Sequence, residues 1–143
     1  MTRTDLSPRL LEIVEALPLR PGMRVLEIGC GPGAAARAVA ARIGDGFVLA
    51  IDRSATAIAL ARRACAAEIA AGSMAVRAVA AEEFELLPGE APFDLAFAVR
   101  VGALDGRHPV AGRKALERLR SAMVPGAKLL VDGGDPLREI PLD

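Results

Sequence analysis

Three glycines alternate at positions 29, 31 and 33, directly after the apolar run Arg24–Ile28 and directly before an alanine-rich stretch that opens at Ala34. No other segment constrains the fold as strongly. Alternating glycines permit a tight turn and leave the backbone open to a ligand lying against it. A helix beginning just beyond such a turn presents unpaired N–H groups and the positive end of its dipole. A strand, a glycine turn and a helix in that order are the opening unit of an α/β fold with a parallel sheet.

The remainder of the chain repeats the alternation. Asp5 or Ser7 can cap an opening helix that runs to about Leu17, with Pro8 in its first turn and Leu10, Leu11, Ile13, Val14 and Leu17 at helical spacing. Pro18 and Pro21-Gly22 end it. A helix is predicted over 34–43, a second strand over 47–51 closed by Asp52, and a long alanine-rich helix from the Ser54 cap to Gly72. Strands are predicted over 74–79, 93–99 and 128–131, and a last helix over 110–123. Residues 80–92 and 100–109 are loops, the first with one possible helical turn. The expected architecture is a single doubly wound domain, residues 1–143. It divides into a helix and linker (1–22), a ligand-binding core (23–132) and a short tail (133–143). Five parallel strands carry helices on both faces. In such sheets ligands bind beyond the carboxyl ends of the strands, where the strand order reverses. Those ends are 27–33, 52–54, 80–84, 100–108 and 132–135.

Composition narrows the function classes. The chain has 143 residues, enough for one domain with a core of its own. Eighteen basic residues balance 18 acidic ones, so no global field draws the protein to nucleic acid or an anionic membrane. Trp and Tyr are absent and Phe is only four, which leaves no platform for stacking bases. No apolar run reaches membrane-spanning length, and the N-terminal stretch carries acids through its apolar part, unlike a signal peptide. Cys30 and Cys65 form neither a disulfide framework nor a zinc quartet, so no metal is expected and the cytosol is the default compartment.

The glycine turn has two ligand readings besides a purely structural one. Gly29, Gly31 and Ala34, with Asp52 placed 19 residues after Gly33, formally satisfy a dinucleotide fingerprint, in which the acid binds a ribose. Against this, a carboxylate at Glu27 would repel a pyrophosphate but suit a cationic amino group. Pro32 also removes one N–H from the phosphate cradle. The second reading comes from a resemblance. The segment RVLEIGCGPG resembles the first motif of class I S-adenosylmethionine-dependent methyltransferases, VLAIDRS the second, FDLAFA the fourth strand and LRSAMVPGAKLLVD the entry to the fifth. The resemblance spans roughly residues 10–132. It implies a methyltransferase that uses S-adenosylmethionine and releases S-adenosylhomocysteine. By that resemblance Glu27, Gly29, Gly31, Gly33 and the Cys30 backbone hold the methionine end. Asp52 holds the ribose, and Arg53 flanks the adenine. The family's adenine-binding Asp falls on Ala81 here, so Glu82 or Glu83 would have to substitute.

The same resemblance places acceptor contacts at residues 100–108. His108, the lone imidazole, can take a proton, or it is simply an exposed loop residue. Asp105 can orient an amine or make a turn with Gly106. Arg100, directly after an apolar strand, suits a carboxylate or phosphate and a place in the cofactor pocket. Cys30, near a helix N-terminus, is either a thiol of depressed pKa or a buried one. Asp132-Gly133-Gly134-Asp135 reads as a turn able to touch substrate. The family continues beyond its fifth strand with a helix and a strand pair, for which the last 12 residues are too few. The resemblance therefore implies five strands in the order 3-2-1-4-5 with the fifth at an edge, Arg138-Glu139-Ile140 as a possible short addition and a homodimer as a way to cover the edge. The function expected is methyl transfer to a small molecule. The alternatives are a non-catalytic adenosyl-cofactor or partner module and an NAD(P)-binding protein.

Overall fold

A computed structural model describes residues 6–142. The elements follow in the order α1 (Pro8–Ala16), β1 (Arg24–Ile28), α2 (Ala34–Ala40), β2 (Phe47–Asp52), α3 (Ala55–Ala64), α4 (Ala66–Ala70), β3 (Met74–Ala78), a 3-10 turn (Ala81–Glu83), β4 (Phe93–Ala98), α5 (Pro109–Ala122), β5 (Met123–Asp132) and β6 (Leu137–Ile140). One sheet carries them in the order β3-β2-β1-β4-β5-β6. The first five strands are parallel, and β6 runs antiparallel to β5. No helix among the described residues is long and apolar enough to cross a membrane.

Alternation along the strands builds two cores. Val25, Val48, Ala50, Leu95 and Phe97 face α1–α4 and meet Val14, Ala36, Val39, Ile58 and Ala61. Leu26, Ile28, Leu49, Ile51, Ala96 and Ala98 face the opposite side and meet Phe84, Ala115, Leu119 and Ala122. The sheet is thus covered on both faces, as parallel sheets require. Burying each Leu, Ile or Phe contributes roughly 1.5–3 kcal/mol, so these two layers supply the main drive to fold. At the pole away from the glycine turn, the Arg24 guanidinium lies 5.0 Å from the centres of both the Phe47 and Phe93 rings, a cation–π sandwich.

Four sequence expectations are corrected. The sheet has six strands, because residues 137–140 pair with β5 from Leu129↔Ile140 to Asp132↔Leu137. The expected β5 edge is therefore closed, and a dimer through a free β5 edge is not available. The segment 54–72 is two helices rather than one. The break at Cys65 (φ −109°, ψ 23°) seats its buried thiol beside Gly33. Finally, β5 begins at Met123, and the Pro125-Gly126 turn is absorbed as an irregularity between the Phe93↔Met123 and Leu95↔Lys128 pairs. Ser7 caps α1, its Oγ accepting from the Leu10 N–H at 3.2 Å; Asp5, the other candidate cap, lies outside the described residues.

Phe97 is fully buried near the carboxyl end of β4, between β1 and β5. Phe97→Ala is expected to lower unfolding free energy by about 3–5 kcal/mol in urea titrations, with the slope against denaturant unchanged.

Candidate active site

The strand order reverses between β1 and β4, and the loops leaving these two strands flank a pair of cavities. The β1–α2 turn is held from below by the end of β2. The Ile51 carbonyl accepts both the Gly29 and the Cys30 N–H, at 2.8 and 2.9 Å. The Asp52 Oδ2 accepts the Gly31 N–H at 2.9 Å, and its Oδ1 accepts the Ser54 N–H at 2.9 Å. Gly29 has φ 73°, and a Cβ there would come within 2.6 Å of Val101 Cγ2. Gly33 has φ 89°, and its Cβ would meet Cys65 Sγ at 2.9 Å. Neither position accepts a side chain without strain.

The larger cavity, about 520 Å³, is lined by Ile28, Gly29, Asp52, Arg53, residues 79–82, Arg100–Ala103, Arg107, His108 and Ala111. A second, of about 290 Å³, lies on the other side of Gly29. Ser7, Arg9 and Leu10 of the α1 entry close it over Glu27, Cys30, Gly31 and Arg100. Gly29 and Arg100 line both, and Val101 lines the larger.

Glu27 is 3% exposed, and its Oε1 has no hydrogen-bond partner. Its register on β1 points it to the face of α2, where the neighbouring positions are apolar. Burial pushes its carboxyl pKa up to about 8; the Ala36 N–H opposes this and the nearby Asp52 charge adds to it. Burial, with the charges of Glu27 and Asp52, also drives the Cys30 thiol up to about 12, so of the two alternatives for Cys30 the buried thiol is the one observed.

The sequence-predicted cofactor residues converge here. Glu27, Gly29, Cys30 and Gly31 meet at the smaller cavity, and Asp52, Arg53, Ala81 and Glu82 at the larger. Gly33 lines neither; it serves the turn by its close approach to Cys65. Of the acceptor candidates, Arg100 and His108 line the larger cavity, whereas Asp105 does not. Asp105 instead closes a turn onto Arg107, accepting its backbone N–H at 3.1 Å and its Nε at 2.7 Å. The Arg107 N–H bond, and the guanidinium beside it, hold the exposed Asp105 carboxyl below its ordinary value against a small opposing desolvation. Asp132 accepts the Arg100 N–H at 3.0 Å, so the acidic turn after β5 braces the site. Arg107, Val101, Gly102 and the α1 entry were not singled out in the sequence. The strand-end rule covers the first three, and nothing in the local pattern signals α1.

A family profile described as a methyltransferase domain matches residues 25–126. The chain is 39% identical over 124 residues to a protein-L-isoaspartate O-methyltransferase of Methylorubrum populi, covering 87% of this chain and 51% of that protein. It is 33% identical over 129 residues to a trans-aconitate 2-methyltransferase of Paracidovorax citrulli, covering 90% and 45% respectively. The crystal structure of an S-adenosylmethionine-dependent methyltransferase from Thiobacillus denitrificans, in complex with S-adenosylhomocysteine, shares the fold. Its TM-score is 0.67 at 23% identity, over 92% of this chain and 50% of that one. The chain spans about half the length of the curated relatives it matches.

Glu27 sets a pH dependence whose sign is fixed. Its folded pKa lies above the unfolded value of 4.5, so the folded state holds the extra proton between about pH 4.5 and 8. Its stabilising contribution is full below 4.5 and is lost as pH rises to about 8. The slope is at most about 1.4 kcal/mol per pH unit. Urea titrations of the ligand-free protein from pH 5 to 8 should show this decline, and Glu27→Gln should remove it. An equal decline in both proteins would refute the assignment.

Proposed function

Because this chain belongs to the class I S-adenosylmethionine-dependent methyltransferase family, we propose that it transfers the methyl group of S-adenosylmethionine to a small-molecule acceptor, leaving S-adenosylhomocysteine. The carrying observation is Glu27. Alone, a buried carboxyl with a free oxygen beside an open glycine turn keeps its proton, and a cation seated against it would let it ionise. The cationic amino group of a methionine moiety fits there, and the pyrophosphate of a dinucleotide does not.

When bound, the cofactor supplies a methyl group already activated on a sulfonium. The protein then has to bind, align and exclude water. Glu27 would hold the ammonium, and Gly29 and Gly31 would leave the backbone bare for the methionine chain. Asp52 is pre-oriented by its two N–H donors, and each oxygen keeps a lone pair for a ribose hydroxyl. Arg53, Ala81 and Glu82 line the larger cavity and would border the adenine end, Ala81 as an apolar wall. The relatives named above act on a protein isoaspartate and on trans-aconitate. A concave cavity of about 520 Å³ suits a nucleoside and a compact acceptor better than a broad protein surface, which favours the small molecule.

Thermal unfolding with S-adenosylmethionine, S-adenosylhomocysteine and NAD tests this reading. Ligand at about 100 times its Kd adds about 2.7 kcal/mol, a rise of several degrees at this chain length. The adenosyl compounds should give that rise, and NAD should not. Glu27→Gln should weaken the adenosyl compounds tenfold or more, as should Asp52→Ala. A response to NAD alone, or none to either adenosyl compound, overturns the proposal.

A further inference from the structure

We infer that Arg100 is a cofactor residue: its guanidinium takes the α-carboxylate at the amino-acid end of S-adenosylmethionine, so that one acidic side chain, Glu27, and one basic side chain read the two charges of that end. This rests on the methyltransferase reading above and assigns a further contact of the same site.

The amino-acid end carries a carboxylate beside the ammonium that suits Glu27, and the smaller cavity is unfavourable to one. Glu27 lines it, and the Asp52 charge is near enough to act on Glu27. Once the ammonium lets Glu27 ionise, both carboxylates repel a second anion. A ligand carboxylate seated there needs backbone N–H groups or a cation. The glycine turn has no N–H to offer. Those of Gly29 and Cys30 go to the Ile51 carbonyl, that of Gly31 to Asp52 and that of Gly33 to the Cys30 carbonyl, while Pro32 has none. Further on, the Ala36 N–H serves Glu27. A loop that cradles phosphate keeps such groups free for its ligand. This turn uses them to hold its own shape.

The cation then comes from a side chain. Two basic residues line the smaller cavity, Arg9 and Arg100. Arg9 is exposed on α1, and Glu12 already pairs with it at 3.2 Å. Among the described residues no carboxylate pairs with the Arg100 guanidinium. Asp132 touches Arg100 at the backbone instead, accepting its N–H at 3.0 Å. Arg100 has φ 58°, a left-handed conformation uncommon for a residue with a side chain. Strain of this kind persists only where the surroundings enforce it, and it gathers at ligand clamps. Arg100 lines both cavities, as a contact near the join of the nucleoside and amino-acid ends has to. A guanidinium also presents paired N–H donors that match the two oxygens of a carboxylate.

The test is calorimetric, on the full chain, with three ligands. These are S-adenosylhomocysteine, its analogue lacking only the carboxylate, and 5′-methylthioadenosine, which lacks the amino-acid end altogether. S-adenosylhomocysteine should bind about tenfold more tightly than the decarboxylated analogue, or better, the scale of one charge-assisted hydrogen bond. Arg100→Ala should cut that ratio to about threefold or less while 5′-methylthioadenosine binds as before, and Arg100→Lys should restore part of it. Arg100→Gly accepts the left-handed backbone without strain, so it removes the side chain alone and should match the alanine variant. A wild-type ratio near one overturns the inference by itself. So does a ratio kept in the alanine and glycine variants, which would give the carboxylate to the Ala34 and Ala35 N–H groups. A ratio lost in Arg9→Ala instead, or equal weakening of all three ligands in Arg100→Gly, overturns it as well. Failure of S-adenosylhomocysteine to bind the wild-type chain overturns the methyltransferase reading and this inference with it.

Discussion

The Asp52 carboxylate joins two helix entries at one point. One oxygen takes the Gly31 N–H and the other the Ser54 N–H, while the preceding Ile51 carbonyl takes the Gly29 and Cys30 N–H groups. Bonds to a charged acceptor are worth roughly 1.5–3 kcal/mol each in folded proteins. The last two residues of β2 therefore determine the path of the chain leaving β1, and with it the spacing between Glu27, the bare glycine backbone and the β4 loop. A carboxylate used in this way still has free lone pairs directed outward. One residue can thus shape the turn and face a ligand.

Glu27 works in the opposite sense. It occupies a strand position whose neighbours are apolar, with one oxygen unpartnered and its proton retained well above the usual carboxylate range. In the ligand-free protein such a group lowers stability, and the two cores on either side of the sheet offset it. Perturbed carboxyls concentrate where a fold keeps a charge in reserve for something it binds. The Arg77–Glu90 pair, at 2.8 Å on the rim of the second core, is a useful contrast. There both partners are present and Arg77 also covers the Phe84 ring, so the arrangement is complete without a ligand.

Features fixed by contiguous residues were readable in the sequence. The glycine turn and Asp52 at the end of β2 follow from short patterns with an evident steric or electrostatic cause. So does the Ser7 cap, where a hydroxyl meets an N–H three residues on. The strand order rested instead on the resemblance to a family. Features that depend on distant partners were not readable. Leu137–Ile140 becomes a strand only because β5 offers it an edge, and only its last three residues had drawn notice. The alanine-rich segment over 54–72 has uniform helical propensity, and its break at Cys65 reflects packing on Gly33, 32 residues earlier. Asp105 beside Gly106 offered a turn as well as a substrate contact, and the turn is what forms; that it also captures the Arg107 guanidinium depends on a loop conformation that composition does not encode.

Val101 and Gly29 give the site a mechanical property. Gly29 and Arg100 line both cavities, and Val101 lines the larger one with its Cγ2 where a Gly29 side chain would have to stand. The two positions share one volume, so a larger residue at either is felt at the other.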